Sequence, residues 1–353
     1  MSISTARCWR ASPSTIHRHS ARSPSRRNPR SALATALATS ASVFEAQAAQ
    51  CESRSPLYAD LCRRFASDPV AVELVGPEPR WDAPLRLLGG LHYLVLEGEA
   101  SWDDPLGEHR GFLATFIAEQ GVQTNEVQRS WVLLPLLLRV AQQTGAETFD
   151  LVELGPSAGL NLVWDRYRYT YEAAAWGSPD ARLRFEGEER RPVPGELLAL
   201  SPRVRGRLGI DCAPIDVTSE EGARLLRCFV WAGQQDRLER LDRAIEALRA
   251  DPPELVRGDF VDLLPGVLAG QPQDGLTIVF QTATWGYLDE GGRNRLRATL
   301  DEAGKTLPLA FISTGEPRNK QHCWGLRIVY WPGASREFAG HADFHGAWLE
   351  WDL

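Results

Sequence analysis

The pattern of hydrophobic positions divides the chain into a helical part and a part in which strands and helices alternate. From Val43 to Pro69, apolar and small residues recur at intervals of three and four, which predicts helices, and Ser55 followed by proline suits a helix start. The same spacing predicts helices at 84–97, 107–119 and 125–142. No run before Asp150 has the features of a strand.

After Asp150, short β-type runs alternate with helical stretches, which is typical of a parallel sheet with crossover helices. Buried strands are predicted at 149–154, 208–217, 254–258, 276–282 and 307–313. A turn and helix should follow the first strand, and a β-hairpin insertion is expected at 166–185. One long helix is expected from Thr218 to about Ala250, and the runs 324–331 and 347–352 predict a terminal antiparallel pair.

These patterns predict three regions. Residues 1–42 are rich in Ser, Arg and Ala and contain no acid, so we expect a disordered basic arm or a misannotated start with Val43 as the true initiator. Residues 43–148 should form a helical N-terminal subdomain. Residues 149–353 should form an α/β domain.

Composition and charge restrict the classes of partner. The formal net charge is −7, but seven arginines lie in the first 42 residues, so the remaining body carries −14, which argues against a nucleic-acid partner. The longest dense apolar stretch, 131–140, is about half the ~20 residues that a membrane span needs. The six cysteines lack metal-ligand spacing. We expect a cytoplasmic protein without a metal.

One short motif carries the candidate chemistry. Glu153 to Gly159 (ELGPSAG) has the pattern E-x-G-x-x-x-G at the end of the first strand. Glycine is needed where backbone approaches a ligand or adopts positive φ. An acid two residues before the first glycine would repel a pyrophosphate, whereas it suits a ligand that carries an ammonium and a sulfonium. The motif therefore predicts a small-molecule ligand such as S-adenosylmethionine.

The run resembles motif I of class I methyltransferases. This resemblance implies that Glu153, Gly155, Ser157, Ala158 and Gly159 line the methionine and ribose part of the cofactor, and we add Asn161 to the predicted contacts.

The same resemblance implies acids after the next two strands, where Asp211 and Asp259 lie, for the ribose hydroxyls and the adenine. Each aspartate is alternatively a helix or turn cap. Glu172 competes with Asp211 if the first strand of the hairpin is the true second strand of the sheet.

Four segments together resemble a bacterial family known as domain of unknown function 2332: VELGPSAGLNLVWDRYRY, QTNEV, VRGDFVDLLP and SPLYADLCRRFASDP. The resemblance spans nearly everything after Val43. It implies a Rossmann-like, class I methyltransferase-type sheet, mostly parallel with an antiparallel C-terminal edge, plus the helical subdomain, but no established reaction.

Two further groups are candidates for contacts with substrate. Thr124, Asn125 and Glu126 either cap the helix that follows or contact the ligand. Trp285 and Tyr287 follow the fourth strand, where the resemblance implies residues that face the substrate; packing of that loop is the alternative. No catalytic residue is identified, although Glu126 or His92 could act as a base.

Other functions fit the same residues less well. Gly155 to Gly159 also matches G-x-S-x-G of α/β-hydrolases, with Ser157 as nucleophile. The triad partners would be Asp259 or Asp289 and one of His322, His341 and His345. A hydrolase elbow follows several strands, however, whereas this motif follows the first. A dinucleotide oxidoreductase is disfavoured because G-x-G-x-x-G is absent. The sequence favours S-adenosylmethionine-dependent methyl transfer to a small-molecule acceptor, with a non-catalytic ligand-binding protein as the alternative.

Overall fold

The computed structural model describes residues 29–123 and 126–353, with side chains from Thr39 onward. These residues form two compact units. Unit 1 comprises 126–218 and 242–353, and unit 2 comprises the described residues up to 123 together with 219–241. The protein is of the mixed α/β class, with a large, mostly parallel sheet in unit 1.

Unit 2 is helical in the part of the chain that the structure describes. Its helices are α1 (Pro29–Cys51), α2 (Pro56–Phe65), α3 (Pro69–Val75), α4 (Ala83–Glu97), α5 (Arg110–Glu119) and α8 (Glu220–Arg227). Side-chain caps fix two of the starts: Ser55 accepts the Tyr58 N–H, and Asp68 accepts those of Val70 and Ala71. Each cap precedes a proline, which is well suited to the first helical position.

His92 lies in the apolar core of unit 2. Its Nδ1 is 3.2 Å from both the Tyr58 hydroxyl and the Cys228 carbonyl. Burial lowers the pKa of His92 to about 4, so the imidazole is neutral at physiological pH. These contacts assign His92 a structural role in this core.

The expected long helix after Thr218 is wrong. The chain forms α8 and then α9 (Gln235–Arg249), and the connection contains Gly233 at φ 89°, a conformation that no helix accommodates. In this connection Phe229 packs on Gly89 of α4, where an added Cβ would lie 2.8 Å from the ring. The break between α8 and α9 therefore allows Phe229 to pack on Gly89, a contact that the helical spacing of the sequence does not predict.

Unit 1 contains the strands and the other helices of the described chain. The strands are β1 (Thr148–Leu154), β2 (Arg168–Thr170), β3 (Ala175–Trp176), β4 (Arg184–Phe185), β5 (Glu188–Arg191), β6 (Arg203–Asp211), β7 (Glu254–Arg257), β8 (Leu276–Gln281), β9 (Leu309–Gly315), β10 (Trp324–Trp331), β11 (Ser335–Ala342) and β12 (Trp348–Trp351). The helices are α6 (Arg129–Thr144), α7 (Gly195–Leu198), α10 (Phe260–Ala269) and α11 (Glu290–Ala303). The helix α9 crosses the boundary between the units at 241/242.

Nine strands form one sheet in the order β5-β12-β11-β10-β9-β8-β1-β6-β7. The five strands β7, β6, β1, β8 and β9 are parallel, and β9 to β12 form an antiparallel meander. Successive parallel strands are added on one side of β1 and then on the other. The order therefore reverses between β1 and β8, and ligands of open α/β sheets bind outside the carboxyl ends of the strands at such a point.

The centre of this sheet is buried on both faces. Every residue of β8 is buried, as are all but the first of β1. Trp131 on α6 and Trp164 after β1 are also buried completely. Burial on both faces is typical of parallel strands covered by helices, and it holds the ends of β1 and β8 rigidly.

Three local predictions in unit 1 are wrong. The predicted terminal pair is a meander, because β11 lies between β10 and β12. The predicted hairpin is part of a three-stranded sheet, β3-β2-β4: β2 and β3 pair antiparallel, but β4, the run after Gly177, is parallel to β2. The helix expected after β1 is a 3₁₀ helix, Leu160–Arg166.

No helix among the described residues is both long and apolar enough to cross a membrane.

Candidate functional site

The motif predicted from the sequence forms a tight loop at the carboxyl end of β1. Gly155, Ser157 and Gly159 all have positive φ, at 72°, 56° and 83°. The Gly155 N–H donates to the Ile210 carbonyl at 2.9 Å. A Cβ at position 155 would lie 2.2 Å from Cγ2 of Thr284, so this position requires glycine for its backbone conformation and for space.

Asp211, the last residue of β6, braces this loop. One carboxylate oxygen accepts the Ser157 N–H at 2.9 Å, and the other accepts the Ala213 N–H at the same distance. Burial raises the pKa of Asp211, while these two hydrogen bonds and the charge of Arg257 oppose the rise. The side chain thus fixes the backbone of Ser157 relative to the second strand of the sheet.

Glu153 is the most unusual group of the site. Its side chain is buried, with 1% of the residue exposed. Oε1 accepts a hydrogen bond from Nδ2 of Asn161 at 3.2 Å, whereas Oε2 is buried and has no hydrogen-bond partner among the described residues. An unpaired buried carboxylate oxygen is energetically costly. Such an atom indicates a place where a ligand supplies a donor.

Burial also governs the charge of Glu153. The pKa of this carboxyl is raised from 4.5 to about 8, mainly by desolvation and to a smaller extent by the nearby Asp211. The hydrogen bond from Asn161 and the charge of Arg129 act in the opposite direction. Without a ligand, Glu153 is therefore mostly protonated at neutral pH.

Two residues that the sequence analysis did not select complete this arrangement. The hydroxyl of Ser130, in the first turn of α6, donates to Oδ1 of Asn161 at 2.9 Å. The Arg129 guanidinium lies 4.8 Å from the Trp324 ring, and its Nε donates to the Phe344 carbonyl at 3.0 Å. The sequence signal that could have identified Arg129 and Ser130 is their position as two polar residues at the start of a dense apolar helix.

Asp259 follows the third parallel strand and is partly exposed. Its side chain accepts the Val261 N–H at 2.8 Å and caps α10. Gly258, next to it, donates its N–H to the Asp211 carbonyl at 2.9 Å. Asp259 therefore lies beside the end of β6 and has a capping contact of its own.

The structure distinguishes between Asp211 and Glu172, the two candidates for the acid that follows the second strand of the sheet. Glu172 is exposed and follows β2, which belongs to the small sheet. Asp211 ends β6, the direct neighbour of β1. Of the two, Asp211 is the residue at the end of the second strand of the large sheet.

Trp285 and Tyr287 lie in a short 3₁₀ helix after β8. The Trp285 ring is 6.4 Å from that of Phe311, and the guanidinium groups of Arg293 and Arg297 lie 5.6 and 5.2 Å from its centre. Tyr287 is 37% exposed. Trp285 thus has extensive packing contacts, and Tyr287 is the more accessible of the two.

Thr124 and Asn125 lie outside the described residues. Glu126 is 6% exposed, and its Oε1 accepts the Gln128 N–H at 3.2 Å, whereas α6 begins at Arg129 with Gln128 at its cap position. Ala158 is buried within the motif loop. Glu126 thus contacts the turn that precedes α6 and does not cap the helix, and the ligand hypothesis stays a prediction.

Residues of the hydrolase alternative have structural contacts. Asp289 caps α11 by accepting the Gly292 N–H at 2.7 Å. Nε2 of His341 lies 2.8 Å from the Arg318 carbonyl. His322 is exposed, and His345 is partly buried.

Two other kinds of site, a metal centre and a surface groove, are weaker candidates. Within the ranges that the structure describes, no group of three or more His, Cys, Asp or Glu side chains could hold a metal ion. A groove of about 430 Å³ lies at the amino ends of β1 and β8, at the opposite edge of the sheet from Glu153. Its lining includes Thr148, Asp274 and Pro308.

Comparison with known proteins identifies the family. The model of the family described as "Uncharacterized protein conserved in bacteria (DUF2332)" matches residues 41–351. A comparison with curated proteins finds no match. The family resemblance predicted from the four sequence segments is confirmed, and the match covers most of the chain. The protein therefore belongs to the DUF2332 family.

Proposed function

We propose that unit 1 binds S-adenosylmethionine at the carboxyl ends of β1 and β6 and transfers its methyl group to a small-molecule acceptor. The observation that carries this proposal is the buried Glu153 carboxyl, whose Oε2 has no hydrogen-bond partner within the part of the chain that the structure describes. The ammonium at the amino-acid end of the cofactor offers three N–H donors and a positive charge. It would satisfy that oxygen and favour the ionised carboxylate.

The strand order supports the same location. If the five parallel strands are numbered in the order in which they occur in the chain, their order across the sheet is 3-2-1-4-5. This order agrees with a Rossmann-like, doubly wound sheet. In our proposal this is a class I methyltransferase-type domain. The ligand then lies along the loop from Gly155 to Gly159, with Asp211 and Asp259 towards its ribose and adenine.

The chemistry requires little from individual side chains. Bound S-adenosylmethionine supplies an electrophilic methyl group on a sulfonium. The protein must hold the cofactor's amino-acid end, exclude water and align an acceptor in line with the carbon–sulfur bond, and such alignment accounts for much of the rate enhancement. Glu153 contributes by fixing one end of the ligand, and Asp211 contributes by fixing the loop. The proposal needs no assigned catalytic base.

Calorimetric titration of the full chain with S-adenosylmethionine and S-adenosylhomocysteine tests this proposal. We expect binding that Glu153→Gln weakens by at least about tenfold, since a hydrogen bond to a charged group is lost. The matched control is Glu147→Gln, an exposed position just before β1, which should leave the affinity unchanged. Folded protein that binds neither ligand would overturn the proposal. Binding without methyl transfer to any acceptor tried would favour the non-catalytic alternative.

One observation favours a second candidate, a serine hydrolase. Ser157 has φ 56°, the type of strained backbone found at a nucleophile elbow. Its surroundings oppose that reaction, because the Asp211 carboxylate already accepts the Ser157 N–H and would repel a developing oxyanion. Labelling of Ser157 by a fluorophosphonate, lost in Ser157→Ala, would support hydrolysis; no labelling is expected.

A further inference from the structure

A chain of two hydrogen bonds connects the first turn of α6 to the candidate ligand site. The Ser130 hydroxyl donates to Oδ1 of Asn161, and Nδ2 of Asn161 donates to Oε1 of Glu153. Ser130 is completely buried, and Glu153 is almost so. Ser130 and Asn161 are 31 positions apart in sequence, so this contact exists only in the folded protein.

In this arrangement the oxygen of the Asn161 amide faces Ser130 and its NH₂ group faces Glu153. An amide side chain presents an acceptor on one side and donors on the other. Because the Ser130 hydroxyl donates to the oxygen, the NH₂ group points at Glu153 Oε1. Glu153 therefore has one oxygen held by the protein, and its other oxygen is left for a ligand.

We propose that Ser130, acting through Asn161, is a positioning residue that orients the Glu153 carboxylate towards the ammonium group of the bound ligand. This inference rests on the proposed function. Ser130 itself does not touch the ligand. Its role is to keep the donor side of Asn161 turned towards Glu153, so that the ionised carboxylate is hydrogen-bonded at one oxygen and open at the other.

Loss of the Ser130 hydroxyl removes this constraint. In Ser130→Ala, Oδ1 of Asn161 loses its donor, and the amide can turn its oxygen towards Glu153. Two acceptors would then face each other, which disfavours the ionised carboxylate that an ammonium requires. The effect should be confined to ligands with an ammonium, because it acts through Glu153 alone.

The test compares two ligands that differ only in the amino-acid end: S-adenosylhomocysteine and 5′-methylthioadenosine. At pH 7, Ser130→Ala should weaken S-adenosylhomocysteine by about tenfold and change 5′-methylthioadenosine by less than about twofold. Ser130→Thr, which keeps the hydroxyl, should restore most of the affinity. Asn161→Asp, which places a second charge beside Glu153, should also discriminate against S-adenosylhomocysteine.

Each other outcome contradicts the inference in a recognisable way. Equal weakening of both ligands by Ser130→Ala would indicate a packing role. No weakening of either would mean that Glu153 needs no positioning. Wild-type protein that binds neither ligand would overturn the proposed function and this inference with it.

Discussion

The buried Glu153 makes a specific prediction about stability and pH. The pKa of this carboxyl is about 8 in the folded protein and 4.5 in an unpaired reference state. Between these values the folded state holds a proton that the unfolded state has lost, so the free energy of unfolding falls as the pH rises. The stability due to protonated Glu153 is thus complete below pH 4.5 and lost by pH 8.

The magnitude follows from the same two values. At about 1.36 kcal/mol per pKa unit, the loss between pH 5 and pH 8 is roughly 3.5 kcal/mol. Glu153→Gln resembles the protonated carboxyl and does not titrate. The variant should therefore match wild type within about 1 kcal/mol near pH 5 and exceed it by roughly 3 to 4 kcal/mol at pH 8.

Urea unfolding of the ligand-free protein at several pH values measures this effect. The quantity to plot is the difference in unfolding free energy between Glu153→Gln and wild type, because other titrating groups cancel. Glu147→Gln, with its exposed carboxyl, should give a flat difference. A flat difference for Glu153→Gln as well would refute the conclusion that this carboxyl is protonated in the folded protein.

Three other predictions concern the loop, its brace and the helical unit. Gly155→Ala should destabilise unit 1 by about 2 to 5 kcal/mol in chemical unfolding, because of the positive φ and the clash with Thr284. The control Gly266→Ala, in open space on α10, should stabilise it by about 0.5 to 1 kcal/mol. Similar losses of stability in both variants would contradict the loop geometry. Asp211→Asn should cost about 1 to 3 kcal/mol because an amide can accept only one of the two N–H groups, and a neutral result would show that water replaces the brace. NMR titration should show His92 neutral from pH 7 to pH 5, and protonation near pH 6.5 would disprove its burial.

The parallel strands could be predicted because each is a compact apolar run between turn residues. The prediction for 149–154 became β1, and that for 276–282 became β8, with ends shifted by a single residue. The run 324–331 matches β10 at both ends. Of these, β1 and β8 are parallel strands buried on both faces, whereas the antiparallel β10 alternates buried and partly exposed residues from Leu326 onward.

Strands that contain polar residues or glycine could not be predicted from the sequence in the same way. The segment that forms β11 contains Gly340 at φ 134°, where a Cβ would lie 1.9 Å from the Glu350 carbonyl oxygen. Close approach to β12 requires this glycine, but in the sequence it indicates a loop. The first half of β6, from Arg203, has alternating arginines, so the prediction began five residues too late and continued past Asp211.

The part of the candidate site that lies in one continuous segment could be predicted from the sequence. Glu153 to Gly159 is one continuous segment, and its glycines have the positive φ values that the motif requires. Ser130 was missed because its contact with Asn161 depends on the packing of α6, which sequence spacing does not reveal. The unpaired oxygen of Glu153 likewise results from burial in three dimensions.

Proton counting tests the central claim most directly, namely that Glu153 meets the ammonium of the ligand. S-adenosylhomocysteine should be titrated at pH 7 in buffers of different ionisation enthalpy, which yields the number of protons released on binding. Glu153 is mostly protonated in the free protein and must ionise to pair with an ammonium, so binding should release about one proton. Binding without proton release, or no binding to folded protein, would contradict the account.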